Sequence, residues 1–290
     1  MTTIPPEFVV EQDRELIRQD LKLHQRPFHV ALAWMKHQKI VGQIFDESIW
    51  GPLMAIYRQL YPSGDFSMPA LFEGGVAMRD RMYKVRVNVG FGEFAINPVE
   101  CIEIPRQELE LLFRLEPEQA WRAFHSVGDL IDFAYGVDDL QHGNAEGYEL
   151  LSNARSSIAA TARTLQGDLD LDAAVQSACL SAELAMKGAL SVIGWEEPRY
   201  RRLSHRLPDA AEALITERPR ASDDLLRVAC ARFPDYVGTR YRSHGMTRHQ
   251  LMMLAMRAQF VAADAVRRVT QRDLGAQLEA DPTIGRRPAI

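Results

Sequence analysis

The amino-acid sequence predicts an α+β protein of two domains, with N-terminal helices and a small antiparallel β-meander followed by a C-terminal all-α helical bundle. Three observations carry this reading. Over most of the chain, apolar residues recur at three- and four-residue steps, the spacing of amphipathic helices. One stretch, MYKVRVNVGF, instead alternates Tyr83, Val85, Val87, Val89 and Phe91 against Lys84, Arg86 and Asn88, the period of a half-buried strand. The segment GVDDLQHGNAEG then combines glycines with acidic and amide residues, which places a junction near residues 136–146. The expected domains are 1–140 and 145–275, with 276–290 as a flexible tail.

Length and composition agree with this division. A chain of 290 residues is long for one core, and 47% hydrophobic with 25% charged residues is an ordinary globular balance. It contains no apolar run of the roughly 18 residues that a membrane helix needs. The opening MTTIPPEFVVEQDRE lacks the basic start and apolar core of a signal peptide, so a cytoplasmic location is expected. Cys101, Cys179 and Cys230 lie far apart and no histidines pair at metal-ligand spacing, so neither disulfide, metal nor cofactor is expected. Residues 1–144 hold 14 basic and 21 acidic side chains, and residues 145–290 hold 20 and 18. That balance argues against tight nonspecific duplex binding, which needs a broad basic field. The acidic first half is a candidate surface for a protein partner.

In the first half, residues 7–24 and the segment restarting at Pro27 carry helical patterns, and a third helix runs over 46–61 with Asp46 as N-cap. Tyr61-Pro62-Ser63-Gly64 is a turn. The meander spans about 68–104, with strands over LFEGGVAM, MYKVRVNVGF, EFAIN and CIEI. Gly74-Gly75 and Gly90-Phe91-Gly92 read as turns or bulges rather than phosphate loops, since neither opens a helix. RQELELLFRL and residues 116–137 return to helix, and His125 reads as a satisfied core or interface histidine.

In the second half, helices are expected over 146–166 and 172–193, near Pro208, near Ser222, and from Thr247 to about Arg272. Ala174, Ala178, Ala182, Ala185 and Ala189 give the second of these a small-residue face that permits close helix approach. Leu251, Leu254, Ala258, Val261, Ala265 and Val269 form a near-heptad seam that suits both the bundle and a homodimer face.

Ala182-Glu183-Leu184-Ala185-Met186-Lys187-Gly188-Ala189-Leu190, then Gly194, then Ser204-His205-Arg206-Leu207 opening a further helix, resembles the HEPN family of helical-bundle domains over about 145–275. The resemblance implies a bundle from prokaryotic toxin–antitoxin or antiphage defence systems that binds RNA, a nucleotide or a protein. Ribonucleases of that family carry an arginine, four to six intervening residues, and a histidine near the start of a late helix. They work without metal, the histidine moving protons and the arginine stabilising phosphate charge. Arg242 and His249, with six residues between them, fit that pattern and are the candidate catalytic pair. The competing reading makes both surface side chains, and the chain a binding module. Glu183 and Lys187 stand in the favourable i,i+4 order, either on an exposed face or lining the bundle cleft. Arg199, Arg201, Arg202, His205, Arg206, Arg240 and Arg248 are candidate phosphate contacts, with Tyr200 and Tyr241 available for base stacking.

Overall fold

A computed structural model describes residues 4–40, 45–66, 70–88, 96–237 and 244–290. It is mostly helical, with a two-stranded antiparallel sheet, and divides into two compact units, Met1–Pro69 and Ala70–Ile290.

The first unit is built from α1 (Pro6–Arg18), α2 (Arg26–Gln38) and α3 (Glu47–Leu60). Asp46 caps α3 by accepting the Ser48 amide at 2.9 Å, and Pro27 sits in the first turn of α2, where its missing N–H leaves no bond unmade. Val9, Val30, Ala31, Trp34, Leu53 and Tyr57 are buried together. Within this core Asp13 is buried too, and a lone carboxylate there is costly. Tyr57 donates to it at 3.0 Å and Arg26 at 3.3 Å, and the Tyr61 hydroxyl also donates to it.

The second unit opens on a hairpin of β1 (Phe72–Met78) and β2 (Arg81–Val87), in register from Phe72 opposite Val87 to Met78 opposite Arg81. Val85 and Val87 are buried, as the alternation predicts. The expected meander is smaller than its sequence suggests. CIEI contributes one bridge, Ile102 to Val85, next to a 3-10 turn over Pro98–Cys101. Gly90-Phe91-Gly92 and most of EFAIN lie outside the described residues. Gly74 and Gly75 are not a turn but lie within β1. A Cβ on Gly74 would stand 2.8 Å from Leu130, so the bare backbone lets the strand lie against the helix beneath it. Gln259 donates to the Gly75 carbonyl at 2.8 Å and accepts its amide at 3.2 Å, pairing as a neighbouring strand would.

Nine helices follow among the described residues: α4 (Arg106–Leu115), α5 (Pro117–Asp139), α6 (Ala145–Gln166), α7 (Ala173–Val192), α8 (Glu197–Arg201), α9 (Leu207–Glu217), α10 (Asp223–Ala231), α11 (Arg248–Arg267) and α12 (Leu274–Ala280). The centre is α5, buried without a break from Ala123 to Val137. α6 and α7 approach through facing glycines: a Cβ on Gly188 would meet Leu151 at 2.8 Å and the Gly147 carbonyl at 3.1 Å. All five alanines of the α7 small-residue face are buried. Thr247 and Gln250 form a capping box at the start of α11.

Three expectations meet a different arrangement. The division between units falls after Pro69, and residues 136–146 carry the chain from α5 to α6 inside the second unit. Turn-forming residues mark a reversal of the chain, and a reversal within one core looks the same in sequence as a linker between two. Secondly, the α11 seam from Leu251 to Ala265 is buried within the unit itself, so this face is already used.

Thirdly, residues 276–290 are not a loose tail. They continue α12 into a strap whose Arg287 holds the buried Asp129 through two bonds of 2.8 and 2.9 Å, and Ile290 is buried. The cause lies on α5, which places Asp129 and Asp132 inside the core. Arg267 reaches Asp129 at 2.8 Å and Asp132 at 2.7 Å, while the amides of Leu274 and Gly275 donate to Asp132 at 2.8 and 2.9 Å. Burial pushes the Asp129 carboxyl up, but the Arg287 and Arg267 charges outweigh it and hold it below the usual carboxylate range.

Candidate functional site

Helix α7 carries a buried carboxylate, Glu183, that gathers three donors from three stretches of chain. Lys187, one turn on, donates at 2.6 Å to one carboxylate oxygen. His205 Nδ1 meets the other at 2.8 Å, and the Tyr236 hydroxyl donates to that same oxygen. The His205 and Tyr236 rings stand edge to face, with centroids 6.0 Å apart. Burial works to raise the Glu183 carboxyl. Hydrogen bonds from Lys187, Tyr236 and His205, then the Lys187 charge, more than offset it and keep Glu183 ionised below the usual range.

Local sequence explains how each group arrives there. Glu183 and Lys187 at i,i+4 share a face of α7 that points inward, so the pair lines the bundle rather than decorating its surface. His205 projects from the connection between α8 and α9, where Ser204 adopts a left-handed conformation at φ 52°. That conformation is uncommon for a residue other than glycine and turns the chain sharply just before the histidine. Tyr236 follows α10, its main chain held by Gln176, which donates to the Tyr236 carbonyl at 2.8 Å.

An ionised Glu183 accepts, so it fixes the proton of a neutral His205 on Nδ1 and leaves Nε2 as the basic nitrogen. The His205 side chain is 48% exposed, and its Nε2 has no hydrogen-bond partner among the described residues. An imidazole oriented by a buried carboxylate and open on its far side has the geometry to accept a proton from a ligand or, once protonated, to donate to an anion.

The other residues singled out from the sequence are dispersed. Arg202 and Arg206 flank His205 on the same connection and are exposed, Arg206 pairing with Asp209 at 2.9 Å. Arg201 pairs with Glu197, one turn earlier on α8. Arg199 stacks on Trp195, its guanidinium carbon 3.6 Å from the ring centroid, and pairs with Glu217 at 3.2 Å. Tyr200 is not available for stacking: it is buried, and its hydroxyl donates to Glu146. Arg248 leaves the expected patch as well, because it closes the C-terminal end of α6 through the carbonyls of Leu165 at 3.0 Å and Gly167 at 2.9 Å. His249 is exposed in the first turn of α11. Arg240, Tyr241 and Arg242 lie outside the described residues.

Tyr236 is the site residue that sequence reasoning missed. Pro234-Asp235-Tyr236 has the look of an ordinary post-helix turn, and only the packing of that turn against α7 brings the hydroxyl to Glu183. A separate polar cleft of about 670 Å³ is lined by Asp80, Arg81, Tyr83, Lys84, Asp168 and Arg248, and none of the Glu183 cluster lines it. Among the described residues no group of His, Cys, Asp and Glu is placed to hold a metal ion, and no helix is long and apolar enough to cross a membrane. Fold and site together define a mostly helical protein with a small antiparallel sheet, in which a buried glutamate holds a solvent-exposed histidine. No family model matches the chain, and no curated protein or solved structure matches it.

Proposed function

We propose that the second unit is a HEPN-like bundle that binds a phosphate-bearing ligand, RNA or a nucleotide, at the face presented by His205. The observation that carries the reading is the Glu183–His205 pair, which orients an exposed imidazole between two exposed arginines, Arg202 and Arg206. The resemblance of the Glu183–Lys187 helix to that family supports it and sets the protein in a bacterial defence or toxin–antitoxin context, acting as a homodimer through a face of the bundle other than the α11 seam. Labelled single-stranded RNA and labelled ATP, titrated in parallel over a salt series, test this reading. Loss of a charge-assisted contact of about 1.5–3 kcal/mol corresponds to roughly 10- to 150-fold weaker binding for His205→Ala. Binding of neither probe by the folded protein sinks the reading.

A second reading, a metal-independent ribonuclease, is favoured by one specific feature. Glu183 gives His205 the tautomer that a general base requires. The Arg242–His249 pair remains the alternative catalytic assignment within it. Cleavage of a structured RNA pool in EDTA, compared among wild type, His205→Ala, His249→Ala and Arg242→Ala, separates the two assignments from each other. Intact RNA throughout leaves the binding module as the function.

A further inference from the structure

The strap over residues 281–290 crosses α5 at Trp121, His125 and Asp129, three residues spaced at single helical turns. At Trp121 the strap passes so closely that a Cβ on Gly285 would stand 2.4 Å from the indole. At His125 the buried Nε2 lies 2.8 Å from the Gly285 carbonyl oxygen. At Asp129 the anchor is Arg287, whose aliphatic and cationic length also passes over the Phe260 ring, 5.5 Å from its centroid. Arg232 holds the Ile290 carbonyl at the far end. Beneath Pro288 and Ile290 lies a groove lined by Met253, Met256 and Phe260 of α11.

We propose that residues 281–290 form a proton-released strap, docked while His125 is neutral and freed when its ring is protonated. A carbonyl oxygen only accepts, so the contact to Gly285 requires the proton on Nε2, and the neutral ring then carries its lone pair on Nδ1. That Nδ1 is buried and has no hydrogen-bond partner among the described residues. A second proton there has no acceptor.

The groups facing the ring do not compensate for it. Arg287 on the strap repels it. Asp129, on its own helix, is already shared between Arg287 and Arg267, and Glu279 of α12 pairs with Arg287 at 2.5 Å. Burial, followed by the Arg287 charge, lowers the His125 ring from its usual 6.5, against the opposing pull of the Gly285 bond and of Asp129 and Glu279. Releasing the strap removes both Arg287 and the cover. Proton binding and docking therefore compete, and docking weakens as pH falls below about 6.5, the value of the uncovered ring. Release opens the Met253–Met256–Phe260 groove.

The test is hydrogen–deuterium exchange of the full-length protein from pH 7.5 to 5.0, corrected for intrinsic exchange. The expected result is that peptides within 281–290 lose protection below about pH 6.5, by up to ~tenfold for each pH unit, while peptides from α5 and α7 keep theirs. His125→Gln keeps a donor for the Gly285 carbonyl but does not titrate, and its strap should stay protected over the whole range. Deprotection of His125→Gln at the wild-type pH overturns the proposal, as does a wild-type strap indifferent to pH. If His125→Gln fails to fold, NMR titration of the His125 ring in wild type and Arg287→Ala decides: a higher value in Arg287→Ala supports the strap, and an equal value overturns it.

Discussion

Glu183 and His205 lie 22 positions apart in the chain, yet His205 Nδ1 and a Glu183 carboxylate oxygen are 2.8 Å apart, across the face where α7 meets the α8–α9 connection. The pair joins the interior of the bundle to its surface, because the glutamate is buried and the histidine half exposed. Removing the carboxylate therefore acts on stability and on the site together.

For Glu183→Gln, Lys187 is left buried without its carboxylate, a loss of about 3–5 kcal/mol by the usual cost of breaking a buried pair. Glu183 sits below its usual value in the folded protein, so its contribution is complete above the unfolded carboxylate range and is lost as pH falls through the folded value. Urea midpoints at pH 7 and pH 4 check both statements. Wild type should lose stability on acidification, and the variant should show a shallower loss. Equal pH slopes would show that Glu183 is not a source of the acid sensitivity.

Arg248→Ala tests whether the basic residues near α11 serve structure or ligand. Its guanidinium bonds the carbonyls of Leu165, Gly167 and Asp80 and pairs with Asp168 at 3.1 Å. The expected outcome is a loss of about 1.5–3 kcal/mol in denaturant stability with RNA and nucleotide affinity unchanged. Weaker binding at full stability would return Arg248 to the ligand face.

Gly188→Val drives a side chain into the contact between α6 and α7. Even a Cβ meets the Gly147 carbonyl at 3.1 Å, and backbone cannot move aside as a flexible side chain can. Overpacking of this kind costs about 1–3 kcal/mol. In a unit of this size that lowers the melting temperature by roughly 2–4 °C per kcal/mol. An unshifted melt would mean that the helices separate freely.

The thiols should react in a set order. Burial pushes both Cys179 and Cys230 up to about 12, with the Glu183 charge adding to the first and Asp264 to the second. Cys101 is only partly buried. Maleimide labelling at neutral pH should therefore modify Cys101 first and reach the other two only on unfolding. Rapid labelling of all three in the native protein contradicts the buried placement of α7 and α10.

Most helices were legible because their signals are local. Asp46 and Thr247 are caps that act within one turn, Pro117 sits where a first turn accepts it, and the alanine face of α7 follows from spacing alone. The hairpin was legible in the alternation of Val85 and Val87, but Gly74-Gly75 misled, since glycine marks a turn and a close approach by the same absence of side chain.

By itself the sequence determined the helix-rich α+β composition, the position of most elements, and three members of the site, Glu183, Lys187 and His205, as residues of interest. Tertiary structure alone decided that Glu183 meets His205, that Tyr236 joins them, and that Arg248 and Tyr200 serve packing. It also decided that the division falls after Pro69, and that Arg287 returns to Asp129 to make a strap of the expected tail. The physical reason is range. Caps, turns and periodicity are set by interactions over a few residues, whereas a buried charge finds its partner only in the assembled core, from whatever distance in the chain the packing allows.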